Sequence, residues 1–160
     1  METEILFSSN VKFRDRFINI FRWSLIFTPL LILFLIATPI NFSNLYSNIP
    51  YLIIIYILSS TTYISYKSGK YYIQEIKIHE NQVCLKALKF NNIHIDEKYD
   101  VDKVKIFKKP LNTKYPKFKL QISYMGKIII SQFEVSDWDE KMMDTVIYNF
   151  NEKVKNRING

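Results

Sequence analysis

Two long apolar runs dominate the hydropathy pattern of the chain. Trp23–Ile40 and Pro50–Tyr66 are joined by Asn41–Ile49, and no Asp, Glu, Lys or Arg occurs in residues 23–66. As helices, the runs of roughly 18 and 17 residues would each reach about 25–27 Å, just short of a typical hydrocarbon core. The pattern therefore predicts a hairpin of two transmembrane helices over residues 23–66. The alternative is a buried helical pair in a soluble core.

Positive charge flanks this apolar segment on both sides and is missing from its connecting loop. The flanking basic residues are Lys12, Arg14, Arg16 and Arg22 before it, and Lys67 and Lys70 after it. Lys and Arg close to membrane spans favour the cytoplasmic side. We therefore expect both termini in the cytoplasm and, in a bacterium, a multi-pass protein of the inner membrane.

Residues 1–22 form an N-terminal segment with a predicted strand and helix. Ile5–Phe7 can form a short strand, and Val11–Arg22 has aromatic residues at helical spacing together with basic residues. A basic, aromatic-bearing helix next to a span can lie in the headgroup region. The same helix could instead pack on the protein's own soluble domain, and the sequence leaves both interpretations open.

Four consecutive hydroxyl residues, Ser59, Ser60, Thr61 and Thr62, lie inside the second apolar run. Such residues can bond across to another membrane helix, which would make this a helix–helix contact face or a site of self-association. They can equally bond back to carbonyls of their own helix. Both interpretations remain open at this stage.

The period of the pattern changes after residue 66, and residues 67–160 predict a β domain. Residues 118–124 alternate between apolar and polar side chains, and Met125-Gly126 and Asn91-Asn92 are typical of hairpin turns. The predicted strands are Tyr71–Ile78, Gln82–Phe90, Ile93–Tyr99, Val101–Lys108, Lys117–Tyr124 and Lys127–Phe133.

A C-terminal amphipathic helix follows these strands. Ser136 is the expected N-cap, with Asp139 three residues later in a capping-box-like arrangement. The apolar stripe that should cover the sheet is Trp138, Met142, Val146, Phe150 and Val154, flanked by Met143 and Ile147.

The net charge of +7 and the pI of about 9.4 favour anionic partners. The densest cationic stretch comprises Lys103, Lys105, Lys108, Lys109, Lys114, Lys117 and Lys119. If they are strand residues, Lys103 and Lys105 share a face, as do Lys117 and Lys119. The stretch is either a surface for anionic lipid or a protein partner, or a solvated face.

Signs of catalysis or cofactor binding are missing from the sequence. His79 and His94 are isolated, Cys84 is the one cysteine, and phosphate-loop and hydrolase motifs do not occur. No recognition helix or RNA-binding motif accompanies the basic residues. We therefore expect no cofactor, no metal site, no enzymatic activity and no nucleic-acid partner.

About six or seven antiparallel strands followed by one Trp-bearing helix resemble a pleckstrin-homology-like (PH-like) barrel or sandwich. With the short N-terminal segment and the hairpin, the chain resembles small bacterial two-span membrane proteins of the YcxB-like and bacterial PH-like families. The resemblance implies an α+β membrane protein with segments 1–22, 23–66 and 67–160. It also implies that no catalytic residues carry over. Our first hypothesis for function is a non-catalytic cytoplasmic binding or scaffold module that recruits a protein partner or self-associates. Alternatives are an anionic-lipid-sensing or envelope-stress component, and an accessory or immunity-type subunit of a larger membrane assembly.

Overall fold

The computed structural model describes residues 3–22, 29, 33, 49–113 and 116–158. Within these residues, seven antiparallel strands form two sheets and a C-terminal helix packs on them. The α+β fold class expected from the sequence is therefore confirmed. The predicted first span and connecting loop fall outside the described residues, except for Pro29, Leu33 and Ile49.

The first sheet has four strands in the order β1-β2-β3-β4. Their bounds are β1 Thr3–Ser8, β2 Tyr71–His79, β3 Gln82–Lys89 and β4 Asn92–Asp100. β1 runs antiparallel to β2, from Thr3 opposite His79 to Ser8 opposite Glu75. The connection between these two neighbouring strands thus contains the whole apolar segment.

Two described helical segments lie within that connection. Residues 13–22 are helical (α1), and Ile49–Gly69 forms α2, which contains the predicted second span. Among the described residues, no helix combines the length and apolar character needed to cross a membrane.

The second sheet has three strands in the order β5-β6-β7, with bounds Val104–Pro110, Phe118–Tyr124 and Lys127–Phe133. The prediction of a strand from Val101 was wrong for its first three residues, which form a 3-10 helix. The chain passes here from one sheet to the other, and the backbone N–H of Val101 bonds to the carbonyl of Asn81 at 2.9 Å. Lys103 consequently precedes β5 and shares no strand face with Lys105.

Two-residue turns connect β2 to β3, β3 to β4 and β6 to β7, and one of them lies a residue earlier than predicted. Met125 (φ 51°) and Gly126 (φ 79°) form the expected turn between β6 and β7. The β3–β4 turn uses Phe90 (φ 59°) and Asn91, while Asn92 already pairs with Lys89. The Phe90 ring contacts those of Phe13 and Tyr66, and this packing outweighs the turn preference of Asn91-Asn92.

The C-terminal helix, α3, spans Glu140–Ile158 and begins later than predicted. Asp139, not Ser136, is its cap, because the Met142 N–H donates to Asp139 Oδ1 at 2.7 Å. Ser136 instead occupies a tight turn at φ 56°, closed by two hydrogen bonds between the backbones of Val135 and Trp138. Because both backbone polar groups of Trp138 bond to Val135, the helix begins only after this residue.

The predicted apolar stripe packs on the core, but Met142 and Val154 are only partly buried and the flanking Met143 is fully buried instead. Trp138, Met143 and Val146 are fully buried, and Phe150 is almost fully buried. The indole lies 3.9 Å from the Phe7 ring, measured between centroids, and its Nε1–H donates to the carbonyl of Ile73 at 3.0 Å. One side chain therefore ties β1, β2 and the start of α3 together.

Candidate functional site

The N-terminal half of α2 exposes apolar side chains on several sides. Leu52, Ile53, Ile55, Tyr56 and Ile57 are between 50% and 73% exposed. Such a contiguous apolar surface on a soluble monomer usually marks a membrane or protein contact. One side of this half is covered, since Tyr51 and Ile54 are buried, but the exposed sides do not carry the polar residues of a helix that lies on a protein surface.

The hydroxyl run in α2 bonds back to its own helix. Thr61 Oγ1 donates to the carbonyl of Ile57 at 2.9 Å and Thr62 Oγ1 to that of Leu58 at 2.7 Å. Ser65 Oγ makes the same bond to Thr61 at 2.8 Å. Thr61 and Thr62 therefore bond back to their own helix, as one of the two interpretations expected. A role of Ser59–Thr62 in helix–helix contact stays a prediction.

The seven lysines of the predicted cationic surface occupy different surroundings. Lys103 Nζ lies 2.7 Å from Asp100, and this hydrogen bond raises the pKa of Lys103. Lys108 Nζ lies 2.6 Å from Asp144 and 3.2 Å from Glu140, and its pKa is raised chiefly by the bond to Asp144. Both charges are thus matched by carboxylates.

The four other predicted lysines that the structure describes lie along the second sheet or its edge. Lys109 is directly opposite Lys119 across β5 and β6, and Lys105 is opposite Ser123 on the same face. Lys117 is exposed just before β6, where its backbone N–H donates to Glu134. Lys114 lies outside the described residues.

A cleft of about 570 Å³ separates the C-terminal end of α2 from β7. One wall comprises Tyr63, Tyr66, Lys67, Lys70, Tyr71 and His94. The other wall comprises Lys119, Ile128, Ile129, Ile130, Ser131 and Phe133. We call it the junction cleft, because it lies where the inserted helix meets the β domain.

The junction cleft is cationic and aromatic. Lys70 Nζ lies 5.3 Å from the centroid of the Tyr71 ring and 5.9 Å from that of Tyr66, and Lys67 Nζ lies 5.9 Å from that of Tyr63. Among the described residues, no carboxylate lies within 4.0 Å of Lys67, Lys70 or Lys119.

Sequence reasoning missed this cleft. In the sequence, Lys67 and Lys70 indicated only the orientation of the predicted hairpin in the membrane. Lys119 was assigned to a different group of lysines, the predicted cationic surface. The one sequence feature that could have indicated the cleft is the clustering of Tyr and Lys in residues 63–71. Its meaning depends on β6 and β7, which lie about fifty residues further along the chain.

A buried polar cluster fixes α1 to the same region of the β domain. Arg16 is fully buried, donates from Nη2 to the carbonyl of Phe90, and lies 4.6 Å from the centroid of the Tyr72 ring. Burial lowers the pKa of Arg16 to about 10. The described part of α1 therefore packs on the protein's own domain, which is one of its two predicted positions.

Tyr72 extends this cluster towards α3. Its hydroxyl donates to Ser9 Oγ at 2.8 Å, and Ser9 in turn donates to Asp137. Burial is the main cause that raises the pKa of Tyr72 to about 12. Tyr72 thus connects the start of the inserted segment to the turn before α3.

Among the described residues, no group of three or more His, Cys, Asp or Glu side chains is placed to hold a metal ion. Comparison with known proteins adds no assignment, since no family model, curated protein or solved structure matches this chain. The fold is therefore described as α+β, with two antiparallel sheets and a C-terminal helix.

Proposed function

We propose that the protein is a membrane-anchored, non-catalytic binding or scaffold module. In this proposal, residues 23–66 form a helical hairpin in the bacterial inner membrane. The α+β domain lies at the cytoplasmic face, where it recruits a protein partner or self-associates.

The exposed apolar half of α2 is the observation that carries the proposal. Leu52, Ile53, Ile55 and Ile57 each leave at least half of their surface uncovered. Fully burying one such side chain contributes about 1.5–3 kcal/mol, so covering the exposed halves of four would contribute roughly 3–6 kcal/mol. A bilayer supplies this cover on every side of a helix.

The polar half of α2 must also tolerate apolar surroundings if the helix crosses a bilayer. Ile49–Leu58 alone rises about 15 Å, roughly half of a hydrocarbon core. Back-bonding of Thr61, Thr62 and Ser65 satisfies their hydroxyl donors inside the helix, which lowers the cost of burying them in lipid. Lys67 can then extend its ammonium into the interface.

The order of elements supports a PH-like character for the β domain. A four-stranded sheet is followed by a three-stranded sheet and a closing helix, as in the families that the sequence resembles. The hairpin would be an insertion between β1 and β2 of that domain. We propose binding in place of catalysis because the walls of the junction cleft are mainly cationic, aromatic and aliphatic.

Extraction of membranes from cells that express the full chain tests the anchor. The wild type should remain in the pellet after alkaline carbonate and urea washes. Ile55→Lys should lower the retained fraction, because a charge at a span centre costs about 3 kcal/mol. Ile93→Lys is the matched control, since Ile93 is 60% exposed on the β domain and Ile55 is 59% exposed on α2.

Release of the wild type by both washes would contradict the proposal, as would equal retention of the two Lys variants. If the released protein sediments as a dimer without detergent, a second copy covers α2 and the membrane anchor is wrong.

A further inference from the structure

We propose that the junction cleft binds the phosphate group of an anionic phospholipid headgroup. This inference rests on the proposed membrane anchor, since the cleft would then lie where α2 leaves the bilayer. Membrane anchoring alone specifies neither a ligand nor the residues that bind it.

Three ammonium groups line the cleft, and in the part of the chain that the structure describes no carboxylate lies within 4.0 Å of them. Lys67 and Lys70 come from the end of α2, and Lys119 comes from β6 across the cleft. Lys103 and Lys108, by contrast, are each within 3 Å of a carboxylate. Uncompensated lysines on facing walls favour an anion between them, and a phosphate offers oxygen acceptors to both walls.

Aromatic rings restrict where two of these ammonium groups lie. Lys70 Nζ lies over the Tyr66 and Tyr71 rings, at 5.9 Å and 5.3 Å from their centroids. A ring face attracts the cation without occupying its N–H donors. The ammonium is therefore partly positioned yet still able to bind an anionic oxygen, which reduces the ordering cost of ligand binding.

The β7 wall makes the cleft amphipathic. Ile128 is 56% exposed at this wall, beside the partly covered Ile129. An aliphatic wall facing lysines suits a ligand with a charged head and an apolar remainder. The volume of about 570 Å³ lies in the range of small-ligand pockets and admits a glycerophosphate headgroup with the first part of its chains.

The test uses the full chain purified in a zwitterionic detergent and mixed with phosphatidylglycerol or phosphatidylcholine. Lipid retained per chain is counted by native mass spectrometry. We expect the wild type to retain phosphatidylglycerol over phosphatidylcholine by roughly tenfold or more, because each lysine near an anionic headgroup adds about one kcal/mol. The triple variant K67Q/K70Q/K119Q should lose at least roughly tenfold of that retention.

The matched control, K98Q/K141Q/K155Q, removes the same charge from three exposed lysines of β4 and α3 that do not line the cleft. It should keep the wild-type preference. Equal losses in both triple variants, or no loss in the cleft variant, would overturn the proposal. Circular dichroism of both variants establishes that they are folded before the lipids are compared.

Competition separates the two sources of phosphate. Displacement by glycerol phosphate shows that a free phosphate suffices, whereas displacement only by short-chain phosphatidylglycerol assigns the cleft to lipid. Either result supports phosphate binding, and displacement by neither overturns it. The assay is done in detergent, so failure of the anchor would appear only in the membrane washes and failure of the cleft only here.

Discussion

Replacing Phe7 by Ala tests whether the strand before the insertion is part of the folded domain. Phe7 is 5% exposed, and its ring lies 3.9 Å from that of the fully buried Trp138. Truncating a buried Phe to Ala typically costs 3–5 kcal/mol, which includes both the lost burial and the cavity that remains. A domain is usually stable by about 5–15 kcal/mol, so this loss would be a large fraction of the total.

Ile5 supplies a control on the same strand. Its side chain is 57% exposed, so Ile5→Ala should cost less than about 1 kcal/mol. Ile5 and Phe7 both pair with β2 through their backbones, and truncation to Ala changes only their side chains. The difference between them therefore isolates the packing of β1 against the core.

The assay is unfolding of the full chain in detergent by guanidinium chloride. The chain has two tryptophans, and changing Trp23 to Phe leaves the fluorescence of Trp138 as the signal. We expect the free energy of unfolding to fall by about 3–5 kcal/mol for Phe7→Ala. A loss no greater than that of Ile5→Ala would refute the packing of β1 on Trp138.

Further predictions concern the start of α3, its ion pair with β5 and the buried tyrosine. Asp139→Ala should lower the free energy of unfolding by about 1 kcal/mol, because the helix cap is lost. Ser136→Gly should be neutral or stabilising, because glycine accepts a φ of 56°. Equal losses for the two variants in chemical unfolding would contradict the cap assignment. By the same measurement, Lys108→Gln should lower the free energy of unfolding by about 1 kcal/mol, because Lys108 bonds to two carboxylates of α3. Lys109→Gln should lower it by less than about half of that. Equal losses would argue against the ion pair between Lys108 and α3. Burial raises the pKa of Tyr72 to about 12 from its ordinary 10, so its contribution to stability is fully present below pH 10 and is lost as the pH rises towards 12. Unfolding measured at intervals over that range should show a shallower decline for Tyr72→Phe than for the wild type, and identical slopes would contradict a buried phenol.

Local patterns predicted most of the strands because half-buried antiparallel strands alternate their side chains. β7 matches its predicted bounds, and β6 begins only one residue later than predicted. The Met125-Gly126 turn also follows from local preferences, because both residues adopt positive φ. These features depend on neighbours within a few residues.

Features that depend on distant contacts could not be predicted in the same way. The cap of α3 is Asp139 and not Ser136, because the backbone of Trp138 bonds to Val135, while its indole bonds to Ile73, far away in sequence. The pairing of β1 with β2 spans the whole insertion, and the junction cleft combines residues from α2 to β7. The alternation of apolar and polar side chains within one segment does not indicate which distant residues that segment will contact.

The predicted lysine surface illustrates the same limit. Density of Lys along the chain does not reveal which ammonium groups meet carboxylates. Lys108 points to α3, whereas Lys119 lines the junction cleft. Proximity in sequence therefore grouped residues that the fold places in different surroundings.

Labelling of single cysteines in cells tests the membrane topology most directly. In a Cys84→Ser background, Ser43→Cys lies in the loop between the two apolar runs, and Asn151→Cys lies on the exposed side of α3. A membrane-impermeant maleimide added to intact spheroplasts should label Cys at 43 and leave Cys at 151 unlabelled until lysis. Labelling of position 151 before lysis, or protection of position 43, would contradict a hairpin that keeps the β domain in the cytoplasm.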